Sequence, residues 1–224
     1  MTYISSFPVL LAMLTEILAA IFGLFYYYKY KNSSLKVFAF YLVYMVINEN
    51  LAWFYVYYYK VIDIQKSVNN SFFFNIYSII TAYVFLYIYY KSIKSKISKI
   101  GIIIMGVFYA LVSVVNCFYH SFRYELTDFP DLILSFMIVA VVIIYLIEIL
   151  NSDKIIIINK LLLFWISIAL LLFYVPIIPF QVLAKINRYA NVVPQFYFIN
   201  AMLAGTYYII FILGFIWSGK NQKD

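Results

Sequence analysis

Seven runs of about twenty mostly apolar residues leave this chain one kind of environment in which to fold. A membrane-crossing helix needs about 20 such residues at about 1.5 Å rise each. The qualifying runs extend approximately over Phe7 to Tyr28, Val37 to Tyr59, Phe72 to Tyr90, Ile100 to Phe118, Asp131 to Leu150, Leu161 to Ala184 and Phe196 to Trp217. With 67% apolar and 11% charged residues in a chain of 224, a water-soluble fold could not hide the apolar surface. The pattern predicts an all-α polytopic bundle of seven transmembrane helices, a single domain over residues 1–224. The first run lacks the basic leader of a signal peptide and carries Glu16 in its middle, so it is expected to be a retained span. The connections are too short for an inserted soluble domain. Any signalling output would therefore have to pass through a membrane or cytoplasmic partner.

Direction follows from the sixteen basic residues. Lys29, Lys31, Lys36, Lys91, Lys94, Lys96, Lys99, Lys154, Lys160, Lys220 and Lys223 fall on the side of the C-terminus, and only Lys60, Lys66, Arg123, Lys185 and Arg188 on the other. The positive-inside rule puts the C-terminus in the cytoplasm and, with seven spans, the N-terminus outside. The net charge of +7 is thus a topology signal rather than a nucleic-acid footprint, and the lipid bilayer is the expected partner. The one cysteine, Cys117, precludes an internal disulfide and leaves the redox compartment open. The 25 Tyr and 22 Phe, with abundant Ile, Lys and Asn, match what AT-rich codons encode, but Tyr also concentrates where interface belts belong.

Polar groups at membrane depth are the candidates for function. Glu16 lies nine residues inward from Phe7 and Glu49 ten inward from Tyr59, so both are expected about 14 Å from the outer end. An exposed charge at the bilayer centre costs at least about 2.5 kcal/mol, so each should face the bundle interior or water, or carry a proton. No Lys or Arg sits at that depth, and two carboxylates without a cation are not expected both to be ionised. Ala12, Ala19 and Gly23 share the face of Glu16 and invite close approach of another helix. Asn48 and Asn50 flank Glu49, making the centre of the second span polar. Asn75 and Asn200 lie about four residues inside the outer ends of the third and seventh spans, with Thr81 and Thr206 about two turns deeper. These eight residues form the candidate ligand- or ion-binding set. Fixing the packing of neighbouring helices is the competing reading for all of them. Glu148, within one turn of Asn151, can reach the cytoplasmic interface. Pro176 and Pro179 interrupt backbone bonding in the sixth span and predict a kink there.

Two echoes suggest a duplicated three-helix unit joined by the fourth span. Phe7-Pro8 and Phe129-Pro130 both open a span, and Asn75, Thr81 and Tyr83 align with Asn200, Thr206 and Tyr208. Spans four crossings apart run in the same direction, so a 3+1+3 parallel repeat is geometrically allowed.

Several chemistries lack their residues. His120 is the one histidine, beside Arg123, Glu125, Asp128 and Asp131 in an outer loop, so no intramembrane metal site of several His and carboxylates is expected. Neither a Gly-rich phosphate loop, HExxH nor G-x-S-x-G occurs, and the seventh span has no lysine for a retinal Schiff base. The chain is expected to be non-enzymatic and to use no cofactor and no metal.

The segments Asn48-Glu49-Asn50, Asn69-Asn70, Phe74-Asn75-Ile76-Tyr77, Leu163-Phe164-Trp165-Ile166-Ser167 and Leu170 to Tyr174 resemble those of small uncharacterised seven-helix inner-membrane proteins of Gram-negative bacteria with AT-rich genomes. The resemblance implies a cell inner-membrane location and no settled activity. That group often carries an acidic residue one turn after the Asn-x-Tyr, where this chain has Thr81. The 3+1+3 layout, external N-terminus and Asn75 and Asn200 are also similar in architecture to the PQ-loop and sugar-transporter group. Here the paired prolines of that group's first helices are missing, and Pro194-Gln195 is expected in a loop. The leading expectation is a protein that binds a small ligand or ion from the outer side as a sensor or accessory subunit. A proton- or solute-coupled transporter and a purely structural subunit are the alternatives.

Overall fold

The computed structural model describes residues 7–61, 69–186 and 193–218. Lys66, Arg188, Lys220 and Lys223, which entered the charge sorting, lie outside the described residues. The chain forms seven long apolar helices: α1 (Phe7–Phe25), α2 (Lys36–Val61), α3 (Ser71–Ser92), α4 (Lys96–Tyr119), α5 (Asp128–Leu150), α6 (Leu162–Ile186) and α7 (Val193–Trp217). All seven are long and apolar enough to cross a membrane, and no strand occurs among the described residues. It is a multi-pass membrane protein.

Where the ends differ from expectation, a local cause is visible. Helix α4 starts four residues before Ile100 because the Ser95 hydroxyl caps it, accepting from the Ser98 N–H at 3.3 Å. The Glu148 carboxylate completes that cap, accepting from the N–H groups of Lys94 (2.6 Å) and Ser95 (3.2 Å). Helix α5 starts at Asp128, with Asp128 and Asp131 in its first turn where the helix dipole favours negative charge. Helix α1 stops at Phe25, short of Tyr28, and a single helical turn, Tyr27–Tyr30, turns Lys29 toward the end of α7. There its ammonium donates to the Ser218 carbonyl, and Tyr30 and Ser218 hydrogen-bond to one another. Between α5 and α6 a 3₁₀ helix, Asp153–Lys160, replaces the expected loop. Pro194 and Gln195 are corrected from loop to the first turn of α7, where a proline's missing N–H costs no intrahelical bond. Helix α6 continues through both Pro176 and Pro179.

Six helices close into a ring in the order α1, α2, α3, α5, α6, α7, with α7 packed back on α1. Helix α4 stands outside, against α3 and α5, with Ile103, Ile104, Val107, Phe108 and Leu111 exposed. This neighbour order is compatible with a parallel duplication, since each contact within α1–α3 has its counterpart within α5–α7. The residues of the second echo are not equivalent, however. Thr81 is buried and Thr206 exposed, while Tyr83 is exposed and Tyr208 buried.

Glycines set two close approaches inside the ring. A Cβ on Gly23 would come within 3.2 Å of Leu42 Cδ1, so α1 and α2 meet there. A Cβ on Gly214 would lie 2.6 Å from Trp165 Cβ, so α6 and α7 could not keep their spacing with any larger residue. Toward the lysine-rich end the ring is filled by Phe38, Phe85, Phe211 and Phe215, all fully buried. Phe38 packs edge-on against Phe211 with ring centroids 4.7 Å apart.

Candidate functional site

Helix α1 carries its buried face as Thr15, Glu16, Ala19, Ala20 and Gly23, the steps of three and four that keep side chains on one side. Its small residues admit the neighbours: a Cβ on Gly205 of α7 would touch the Ala12 backbone nitrogen at 3.8 Å. Glu16 is thereby held inside the ring at 4% exposure, midway along the helix.

Glu49 approaches it from α2, close enough for the two carboxyl groups to interact. A carboxylate offers acceptors only, so the two can hydrogen-bond to each other only when the pair holds a proton. One Glu16 oxygen, Oε1, is buried without a hydrogen-bond partner. A buried acceptor left open costs about 1–3 kcal/mol, so its retention calls for a reason beyond packing.

Beside the pair lies a belt of tyrosines. Tyr77 of α3 and Tyr208 of α7 are within electrostatic reach of both glutamates. The Tyr41 hydroxyl donates to the Tyr77 hydroxyl at 3.5 Å, and the Tyr41 and Thr81 hydroxyls are 2.9 Å apart. Tyr207 of α7 and Tyr174 of α6 are within electrostatic reach of Tyr77. Five helices of the ring thus contribute polar groups to one interior layer. Nearer the lysine-poor end the Ser135 hydroxyl donates to Gln181 Oε1 at 3.0 Å.

The eight candidates separate by their partners. Glu16, Glu49 and Thr81 belong to this layer. Asn48 is buried and donates to the Phe73 carbonyl at 3.2 Å, joining α2 to α3. Asn50 is exposed and donates back to Val46 of its own helix at 2.7 Å. Asn75 is buried but already saturated. Its amide donates to the Phe122 and Glu125 carbonyls, each at 2.8 Å, and its oxygen accepts from the Thr127 N–H and hydroxyl, each at 3.0 Å. It clamps the α4–α5 loop onto α3. Asn200 is half-buried on α7, and Thr206 is exposed, its hydroxyl donating to Met202 of its own helix at 3.0 Å. Asn50 and Thr206 therefore point away from the interior layer, because each step of one residue turns a side chain by about 100° around the helix, enough to carry it to the lipid face.

In the loop that Asn75 holds, His120 Nδ1 lies 2.8 Å from Glu125 Oε2, both exposed. Among the described residues no group of three or more His, Cys, Asp and Glu could hold a metal ion. Sequence reasoning missed the tyrosine belt. One signal was present in α2, where Phe38, Tyr41, Met45, Asn48 and Ala52 repeat at three and four residues and are all buried. Among 25 tyrosines the individual members carry no mark. Comparison with protein-family models, with curated proteins and with solved structures finds no match.

Proposed function

We propose that the protein is a non-enzymatic membrane component that binds a small cation, in the first place a proton, between Glu16 and Glu49, and acts as a sensor or accessory subunit. The observation that carries this reading is the open Oε1 of Glu16, buried beside a second carboxyl that can bond it only through a proton. Access is from the lysine-poor side, because Phe38, Phe211 and Phe215 close the other approach. By the positive-inside rule that side is external. Placement in the inner, cytoplasmic membrane rests on the sequence resemblance and the asymmetry of lysines.

Infrared difference spectroscopy on the purified protein tests it. A protonated-carboxyl band that responds to pH or to added cation should vanish in both Glu16→Gln and Glu49→Gln. An unchanged band in both variants would sink the reading. The neighbour order of the ring supports a second reading, a proton-coupled transporter built from two three-helix units. Proteoliposome uptake that Glu49→Gln abolishes would establish it in place of sensing.

A further inference from the structure

At the lysine-rich end a cavity of about 690 Å³ opens between the α3–α4 turn, the end of α5 and the start of α6. Its walls are mixed. Leu35, Ile144, Leu161 and Leu163 give it an apolar side, while Ser98 and Lys94 stand on its polar side. Such a division suits an amphiphile rather than a wholly polar metabolite.

The charge around it has one sign. Lys91, Lys94, Lys96 and Lys99 fall within nine residues of the turn, and none of the four makes an ion pair with a described residue. Lys91 and Lys99 lie over the rings of Tyr87 and Tyr90, at 5.9 and 5.3 Å, which holds their stems at the level of an aromatic belt. The one carboxylate in the lining, Glu148, is committed to the N–H groups of Lys94 and Ser95. It sits at the positive end of the α4 dipole, so its charge is largely met there. What remains toward the membrane surface is uncompensated ammonium.

We propose that this cavity holds an anionic phospholipid of the cytoplasmic leaflet, its headgroup phosphate at Lys94 and its glycerol and upper acyl stem against the apolar wall. Basic pockets between helices on this side of a membrane recognise such headgroups by charge, and a cavity makes the attachment specific rather than a diffuse surface attraction. The site is separate from the glutamate pair and does not depend on what that pair binds.

Native mass spectrometry of the full chain in nonionic detergent tests it, with dioleoyl phosphatidylglycerol and dioleoyl phosphatidylcholine as chain-matched probes. Phosphatidylglycerol should be retained at least about tenfold more strongly, a difference of about 1.4 kcal/mol. The triple variant Lys94→Gln, Lys96→Gln, Lys99→Gln should erase that preference. Ile147→Trp, which fills the cavity from its wall and leaves every charge in place, should also lose the lipid. Wild-type circular dichroism and thermal midpoint without lipid keep both variants interpretable. Equal retention of the two lipids would overturn the proposal, as would a triple variant that binds like wild type. Displacement of the lipid by glycerol 3-phosphate alone would also overturn it, showing a site for free phosphate.

Discussion

The two halves of the bundle bury their interiors by opposite means. Toward the lysine-rich end the ring is closed by four fully buried phenylalanines, and two tyrosine hydroxyls there are paired, Tyr89 with Ser167 at 2.8 Å and Tyr30 with Ser218. From the middle toward the other end the interior holds two glutamates, the tyrosine belt and an acceptor left open on Glu16. A chain that needed only to pack would extend the aromatic solution through the whole ring, since each buried polar group in lipid demands a partner. The first half therefore reads as the part that holds the helices together. The second reads as the part shaped for something else.

The sharpest way to break this contrast is to compare Phe211→Ala with Tyr41→Phe. Removing the Phe211 ring from a fully packed position should cost about 3–5 kcal/mol and lower the thermal midpoint in detergent by the largest margin of any single change. Tyr41→Phe keeps the ring and removes only the hydroxyl shared with Thr81 and Tyr77, which in membrane interiors is worth about 0.6 kcal/mol. Equal losses in the two variants would mean that the polar layer is structural and that the division proposed between the halves is wrong.

Asn75→Ala should fall next. Four hydrogen bonds to the α4–α5 loop are lost, and at about 0.5–1.5 kcal/mol each, with water replacing part of them, the cost is about 2 kcal/mol. The specific readout is hydrogen exchange of the Thr127 amide, which should quicken well before global unfolding. Asn200→Ala, its counterpart in the sequence echo, should leave that amide unchanged. If both variants release the loop, the clamp is not Asn75 alone.

That pair also shows what was legible beforehand and why. Seven spans could be counted because about twenty apolar residues is a demand of the bilayer itself, independent of how helices meet. The shared depth of Glu16 and Glu49 followed from helical rise alone. Which face a polar residue takes is a different matter, because it depends on the ring order and on each helix's rotation. Thr81 and Thr206 sit at matching positions in the sequence, yet one bonds Tyr41 in the interior and the other bonds its own helix beside lipid. The saturation of Asn75 was likewise invisible, since three of its four partners are backbone groups of a loop about fifty residues away in the chain. The Ser95 cap was written in the sequence, a serine just ahead of a helical run, but the apolar stretch drew the boundary to Ile100 instead.

Thr81→Val and Thr206→Val should separate by a smaller margin. The first strips a hydroxyl from the buried layer and should cost about 0.6 kcal/mol, and the second should be neutral within error. In the infrared experiment Thr81→Val should also shift the carboxyl band, because Thr81 bonds Tyr41, which bonds Tyr77, and Tyr77 is within electrostatic reach of both glutamates. A shift from Thr206→Val of equal size would restore the two positions to equivalence and revive the echo between α3 and α7 as a structural repeat.

The last effect, a titration that is silent at neutral pH, belongs to the lysine-rich half. Tyr30, in the turn after α1, is buried against Ser218, and burial pushes its hydroxyl from the ordinary 10.0 up to about 12, with the Ser218 hydrogen bond opposing in part. Because the folded value is the higher one, the unfolded chain loses this proton first. Stability is therefore unaffected below pH 10 and falls as pH rises from 10 toward 12, where the unfolded state binds fewer protons than the folded one. Tyr30→Phe removes the titration and should flatten that alkaline decline, while costing about 1 kcal/mol at pH 7 for the lost hydrogen bond. An alkaline limb of the same steepness in Tyr30→Phe would place the titrating group elsewhere. It would also show that the contact between Lys29, Tyr30 and the end of α7 is less tightly closed than the aromatic packing above it.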